Sequence, residues 1–358
     1  MHLKFFFSSL RKVYIIFFIT VLFLNFSTSE LKSSIFKVND IEISEPFDLN
    51  FKKEKVIDKA FKEAFKQLIK MAVVSEEVTK LNNLKGYEIK NLIESFNIKD
   101  EKFIKNSYSA KFDVNFNKQN TILFFEKKNI FPSIPRKKNI FILPILINAE
   151  TMSVNLFSQN PFFENWKTIQ NKHFLLEYIL PTEDIEIINI LNQNINSLEN
   201  YNFSNIINKY NVEDFIICLI YKDNRTVKVL SKININNQER IQSNIYNNIN
   251  IINNDELENL ILSIKSTFED GWKKFNQINR SVKLALNITI DANDYKKNKT
   301  FEKFLDNTEF VSSFFINEFN NKIINYRIIF NGSPNRFLEL CKKYDLEIDT
   351  NKQIWHLN

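Results

Sequence analysis

Apolar residues recur along this chain at two spacings, every second position and every third or fourth, and the switches between them mark out its elements. Phe36 and Val38, then Ile41 and Ile43, predict a strand over residues 34–44, with the slip of phase at Asn39-Asp40 predicting a bulge. Ile57, Phe61, Ala64, Phe65, Leu68 and Ala72 predict a long helix over 53–74 with lysines on its far side. A second helix is expected over 87–96 from Ile89, Leu92, Ile93 and Phe96. Tyr108, Ala110, Phe112, Val114 and Phe116 alternate strictly with polar residues, which demands a strand with one buried and one wet face. A short helix over 119–127 follows, and the two prolines of residues 131–136 read as a linker.

The apolar run at 140–147 suits a strand covered on both faces, with Pro144 placing it near an edge or a bulge. Helices are expected over 161–170, over 181–197 with Thr182 as cap, and over 203–210. Residues 215–221 read as a buried central strand, and 227–235 as its hairpin partner across Asp223-Asn224. Leu257, Ile261, Ile264, Phe268, Trp272, Phe275 and Ile278 then stripe a long helix over 255–278, opened by a capping box from Asp255 to Glu258. In the last stretch, strands over 282–290, 310–319, 323–330 and 353–357 alternate with helices over 300–305 and from Pro334 to about 344, the latter capped by Ser333. The expected fold class is α+β: several small α/β sandwich domains, the C-terminal one ferredoxin-like in its β-α-β-β-α-β order. The expected boundaries are a signal peptide at 1–29, an N-terminal α+β domain at 30–136, a middle α/β domain at 137–279, and the ferredoxin-like domain at 280–358.

The signal expectation rests on Lys4, Arg11 and Lys12, the apolar run from Val13 to Leu24, and the small residues Ser27-Thr28-Ser29. The run is roughly twelve residues, short of the ~20 that span a bilayer, although Asn25 and Phe26 leave open an uncleaved anchor to the inner membrane. The net charge of +6 includes three cations of that segment, and the remaining lysines are scattered rather than gathered on one face, so it does not point to nucleic acid. Asn, Ile, Lys and Phe have A/T-rich codons, which accounts for much of the lysine.

With Gly86, Gly271 and Gly332 as the only glycines, glycine-dependent phosphate loops, dinucleotide fingerprints and nucleophile elbows are excluded. The histidines His2, His173 and His356 and the cysteines Cys218 and Cys341 show no metal-ligand spacing. Both cysteines read as buried small hydrophobes. Glu183, Asp184 and Glu186 look like a carboxylate cluster but fall where acids belong, in a first helical turn. His173 near Trp166 and Glu164 reads as a surface or half-buried histidine, Ser333 as a helix cap before an anion site, and Tyr326 and Phe330, without the ribonucleoprotein glycines, do not point to RNA. No catalytic, cofactor-binding or metal-ligating residue is assigned, and no cofactor is expected.

The early strand and long helix, the 108–116 strand, the 140–147 strand with Pro144, Trp166, and the terminal unit with Gly332 and Trp355 together resemble a family of exported proteobacterial envelope proteins known as a domain of unknown function. Residues 140–235 are also similar to the N-terminal α/β domain of Tol-type envelope proteins, which mediates protein contacts. The resemblance implies a periplasmic or otherwise exported location, envelope proteins as partners, and no transferable catalytic residues. The expected function is a non-catalytic interaction or scaffold module; the alternative is an exported hydrolase with a dispersed site.

Overall fold

The alternation near the start becomes β1 (Phe36–Pro46), and its phase slip is a bulge at Asn39-Asp40 in the pairing with β3 (Ser107–Phe116). Asp40 takes a positive φ there, and its amide donates to Asp113 Oδ1 at 3.1 Å. The computed structural model describes residues 35–81, 84–169, 173–279, 283–351 and 354–358. The expected signal segment at 1–29, Val282 and Gln353 lie outside the described residues. Within them the chain is α+β, with three sheets and helices packed on each.

The first sheet runs β1-β3-β2. Its buried face carries Phe36, Val38, Phe112, Val114 and Phe116, and α1 (Lys53–Ala72) lays Ala60, Phe61, Ala64, Phe65 and Leu68 upon it. The helix expected over 87–96 stops early: α2 is only Gly86–Lys90, and the chain continues as β2 (Ile93–Ile104), a strand with two register shifts against β3. Ile89, Leu92, Ile93 and Phe96 fit the helical period alone, yet pairing along the free flank of β3 draws residues from Ile93 onward into the strand. Helix α3 (Lys118–Lys127) closes this region, stacking Phe125 on Phe65. Residues 131–136, expected as a linker, are themselves packed. Ser133 N donates to Ala72 O at 2.7 Å and Ile134 N to Asn276 O at 3.1 Å, while Pro132 O accepts from Ile278 N at 2.9 Å.

The second sheet is mixed. Its core is β4 (Lys138–Asn148) parallel to β7 (Phe215–Asp223), which continues antiparallel into β8 (Thr226–Ile235) and the edge strand β9 (Gln238–Tyr246). The other flank of β4 is shared by β6 (Leu176–Ile179) and β5 (Ser153–Asn155). Pro144 therefore sits in an interior strand, not at an edge or bulge, in the gap between β6 and β5. Asn160 Nδ2 donates to its carbonyl at 3.0 Å, so the donor that proline lacks would have faced this same gap. Residues of β4 split by parity. Ile140, Ile142 and Leu146 pack under α4 (Pro161–Trp166) and α7 (Asn254–Phe275). Phe141, Leu143, Ile145 and Ile147 pack under α5 (Ile185–Gln193) and α6 (Ser204–Asn208). Two caps differ from expectation. Asp184, not Thr182, caps α5, accepting from Glu186 N at 2.8 Å, and Asn253 rather than Asp255 caps α7, accepting from Asp255 N and Glu256 N.

The third sheet is ordered β11-β12-β10-β14-β13. Its members are β10 (Leu284–Asp291), β11 (Val311–Phe319), β12 (Ile323–Phe330), β13 (Ile348–Asp349) and β14 (Trp355–Leu357), with α8 (Tyr295–Asn307) and α9 (Pro334–Lys342) on one face. The expected β-α-β-β-α-β order gains one strand. After α9 the chain forms the short hairpin β13–β14, and β14 enters beside β10 in the parallel sense. An all-antiparallel ferredoxin-like sheet would have its last strand antiparallel at that place.

Candidate interaction surface

Most residues with suggestive chemistry turn out to serve the fold. Lys209 spans Asp184 at 3.2 Å and Glu186 at 2.6 Å, tying α6 to the first turn of α5, while Glu183 Oε1 accepts from Ser158 N at 3.3 Å. The three acids therefore do not converge on a cavity as a carboxylate pair. His173 is half-buried just before β6, Trp166 is buried, and Glu164 is exposed on α4. Ser333 Oγ accepts from Arg336 N at 3.2 Å as the cap of α9. Tyr326 and Phe330 share a face, but it is the helix-covered one. Tyr326 Oη donates to Glu302 at 2.9 Å, and Phe330 lies edge-on to Phe337. Neither ring is open to a base. Cys218 in β7 and Cys341 in α9 are buried free thiols in separate elements, and burial pushes the Cys218 thiol up to about 12.

The polar cluster that the sequence did not announce lies along α7. Lys265, Glu269 and Lys273 recur every four residues and are all buried. Lys265 Nζ donates to Trp166 O at 2.5 Å and Ile169 O at 2.6 Å, at the end of α4, and lies over the rings of Trp166 and Tyr178. Glu269 accepts from the amides of Leu175 and Leu176 at 2.9 and 2.8 Å, where β6 begins. Lys273 Nζ donates to Val73 O at 3.0 Å, at the end of α1. Desolvation lowers Lys265 to about 8, against the pull of Glu269. It lowers Lys273 and raises Glu269 as well, the latter against its two backbone donors. One turn on, Asn276 Oδ1 accepts from Arg336 Nη2 at 3.1 Å, and that guanidinium sits 4.4 Å from the centre of the Phe275 ring. Lys265 and Glu269 are thus consumed by backbone groups of the second sheet's own α4 and β6, and Lys273 by the end of α1 on the first sheet. These three charges act as clamps along α7.

Beside a concavity of about 700 Å³ between α1 and β2, two others open on the second sheet. One, of about 440 Å³, lies at the carboxyl ends of β4 and β7, where ligands gather in parallel α/β sheets. Its polar lining is mostly side-chain amides (Asn148, Asn155 and Asn165 among them), which carry no titratable proton near neutrality, with Lys222 and Glu164 as its charged members. The other, of about 540 Å³, opens between α6 and the far ends of β7, β8 and β9, with aromatic and aliphatic walls from Phe203, Ile207, Phe215 and Ile241.

No family model and no curated protein matches this chain.

The cleft of about 540 Å³ adjoins the open edge of the second sheet. Among the described residues strand β9 pairs with β8 alone, which leaves its outer backbone groups without a strand partner. Along the face it shares with the cleft, Ile241 and Ile245 are 70% and 64% exposed, an apolar pair that the fold does not cover. The residues around this edge were not singled out from the sequence. The signal available was Asn236-Asn237, both at positive φ, forming the two-residue turn that sends the chain back from β8 as β9. Among the described residues no group of His, Cys, Asp or Glu is placed to hold a metal ion, and no helix is long and apolar enough to cross a membrane.

Proposed function

We propose that this protein is an exported, non-catalytic interaction module that works as a rigid scaffold and receives a partner on the open edge of β9. The observation that carries the reading is the pairing of an uncovered strand edge, with Ile241 and Ile245 exposed on its face, with a core whose buried charges are all used as clamps. Export belongs to the same proposal and rests on the Val13–Leu24 apolar run followed by Ser27-Thr28-Ser29. The resemblance to exported envelope proteins supports that location and envelope proteins as partners.

Complementation of a deletion strain tests the absence of catalysis. His173→Ala, Glu183→Ala, Asp184→Ala, Glu186→Ala and Ser333→Ala are expected to fail only to the extent that they lower the melting temperature. A variant that folds with an unchanged melt and does not complement would place an active or ligand site at that residue. The competing hydrolase reading has one observation in its favour, the concavity at the carboxyl ends of β4 and β7. Glu164→Gln is expected to complement fully. Failure with intact folding would move the functional site to that end of the sheet. Intact-mass analysis of the native protein tests export, the expected mature chain starting at or near Glu30.

A further inference from the structure

The cleft beside β9 contains a cation, Lys232, that forms no direct ion pair among the described residues. Strand register sets two cross-strand rows on one face, Phe215 of β7 with Asn234 of β8 and Glu239 of β9, and Ile217 with Lys232 and Ile241. Tyr201, Phe203 and Ile207 wall the cleft from above. Lys232 Nζ donates to Tyr201 O at 2.9 Å and lies 5.2 Å from the centre of the Phe203 ring. It makes no ion pair among the described residues, which leaves two of its three N–H donors for a ligand. Its neighbour Lys228, on the same face, is by contrast paired with Glu199 at 3.2 Å.

We infer that this cleft binds an apolar group that ends in a carboxylate, with the carboxylate on Lys232 and the apolar part against Phe203, Ile207, Phe215 and Ile217. The volume of about 540 Å³ is that of a small-ligand site. A charge-assisted bond to a lysine set among aromatic walls is stronger than one in water. Burial depresses the Lys232 pKa against the pull of Glu199 and Glu239, and an incoming carboxylate adds the direct ion pair that neither of them makes. Glu239 stands one row away at the exposed rim and disfavours a second anionic group, so the ligand carries a single negative charge. Arg240 does not add to the site. Its guanidinium lies on the opposite face of the sheet, in the notch left by Gly271 of α7.

Two sources share this chemistry: a free fatty-acid-like carboxylate, and the end of a protein chain whose last residue is apolar. The second carries a backbone N–H, for which Asn234 Oδ1, buried in the wall without a partner, is the matching acceptor. In that case the inference rests on the reading of the β9 face as a docking surface.

Calorimetric titration of the purified protein separates the cases. The probes are decanoate against decanol, and a short peptide ending in Leu-Phe as free acid against the same peptide amidated. At least one charged probe is expected to bind at least about tenfold more tightly than its neutral counterpart. Lys232→Met is expected to abolish that preference, Lys232→Arg to keep it, and Lys228→Met to leave it unchanged. Preference for decanoate alone assigns a free amphiphile, and preference for the peptide acid assigns a chain end. Equal binding of charged and neutral probes, no binding of any, or full carboxylate binding by Lys232→Met overturns the inference. Should Lys232→Met not fold, Ile241→Glu at the exposed rim is expected to erase the same preference, and its failure to do so is equally decisive. Cross-linking of a partner through β9 without carboxylate preference removes this inference alone, and the reverse result removes the docking reading alone.

Discussion

Lys265 is the residue whose environment departs furthest from what its type suggests. A lysine within a helix pattern is assigned to water by default, and its four carbons of stem make that a sound rule. Here it is 1% exposed, and its ammonium serves carbonyls at the end of α4. Because its folded pKa of about 8 lies below the ordinary 10.5, the unfolded chain holds more protons between those values, and stability contributed through this group rises with pH across that window. Wild type is therefore expected to gain on the order of 1–3 kcal/mol relative to Lys265→Met between pH 8 and 10.5, read from denaturant melts. A flat difference would mean that Lys265 is not desolvated. Gly271 offers a contrasting case. A Cβ there would overlap only the tip of the Arg240 side chain, which can swing away, while the helix gains from losing a glycine. Gly271→Ala is expected to change stability by less than about 1 kcal/mol. Ser333→Ala, which removes the α9 cap, is expected to cost about 0.5–2 kcal/mol.

At the scale of elements, legibility followed burial. The 108–116 and 215–221 strands, the long helices α1 and α7, and the bulge at Asn39-Asp40 were readable because one face or stripe of each is buried and repeats. Strands β2 and β9 were not. Neither buries a residue, β9 alternating only between exposed and half-buried positions, and β2 also carries two register shifts. Their turns held the remaining signal. With no glycine at positive φ, the chain turns Lys105-Asn106 and Asn236-Asn237 through the left-handed region. Asparagine tolerates that region without glycine's freedom. Asn237→Gly is accordingly expected to stabilise the β8–β9 hairpin by about 0.5 kcal/mol, measurable as slower amide exchange in β9. The cleft was illegible for a related reason. Its walls come from four separate elements, and the one informative property of Lys232, the absence of an ion pair, exists only in the folded register.

Across the whole molecule, α7 is the element to which the sheets are fastened. Lys273 reaches the end of α1, Lys265 and Glu269 hold α4 and β6, and Asn276 receives Arg336 from α9. Lys273→Met would leave Val73 O buried without its donor, at a cost of about 1–3 kcal/mol. Amide exchange is expected to quicken at the end of α1 and around Ser133 rather than in β7. Such an anchored body can present β9 in a fixed orientation, which is what a docking edge requires. Site-specific photo-cross-linking in envelope preparations tests that claim most directly, with the probe placed in turn at Ile241 and Ile245 on β9, at Lys66 on α1, and at Lys303 on α8. A partner adduct is expected from the two β9 positions and not from Lys66 or Lys303. Adducts from Lys66 or Lys303 with none from β9 would contradict the account.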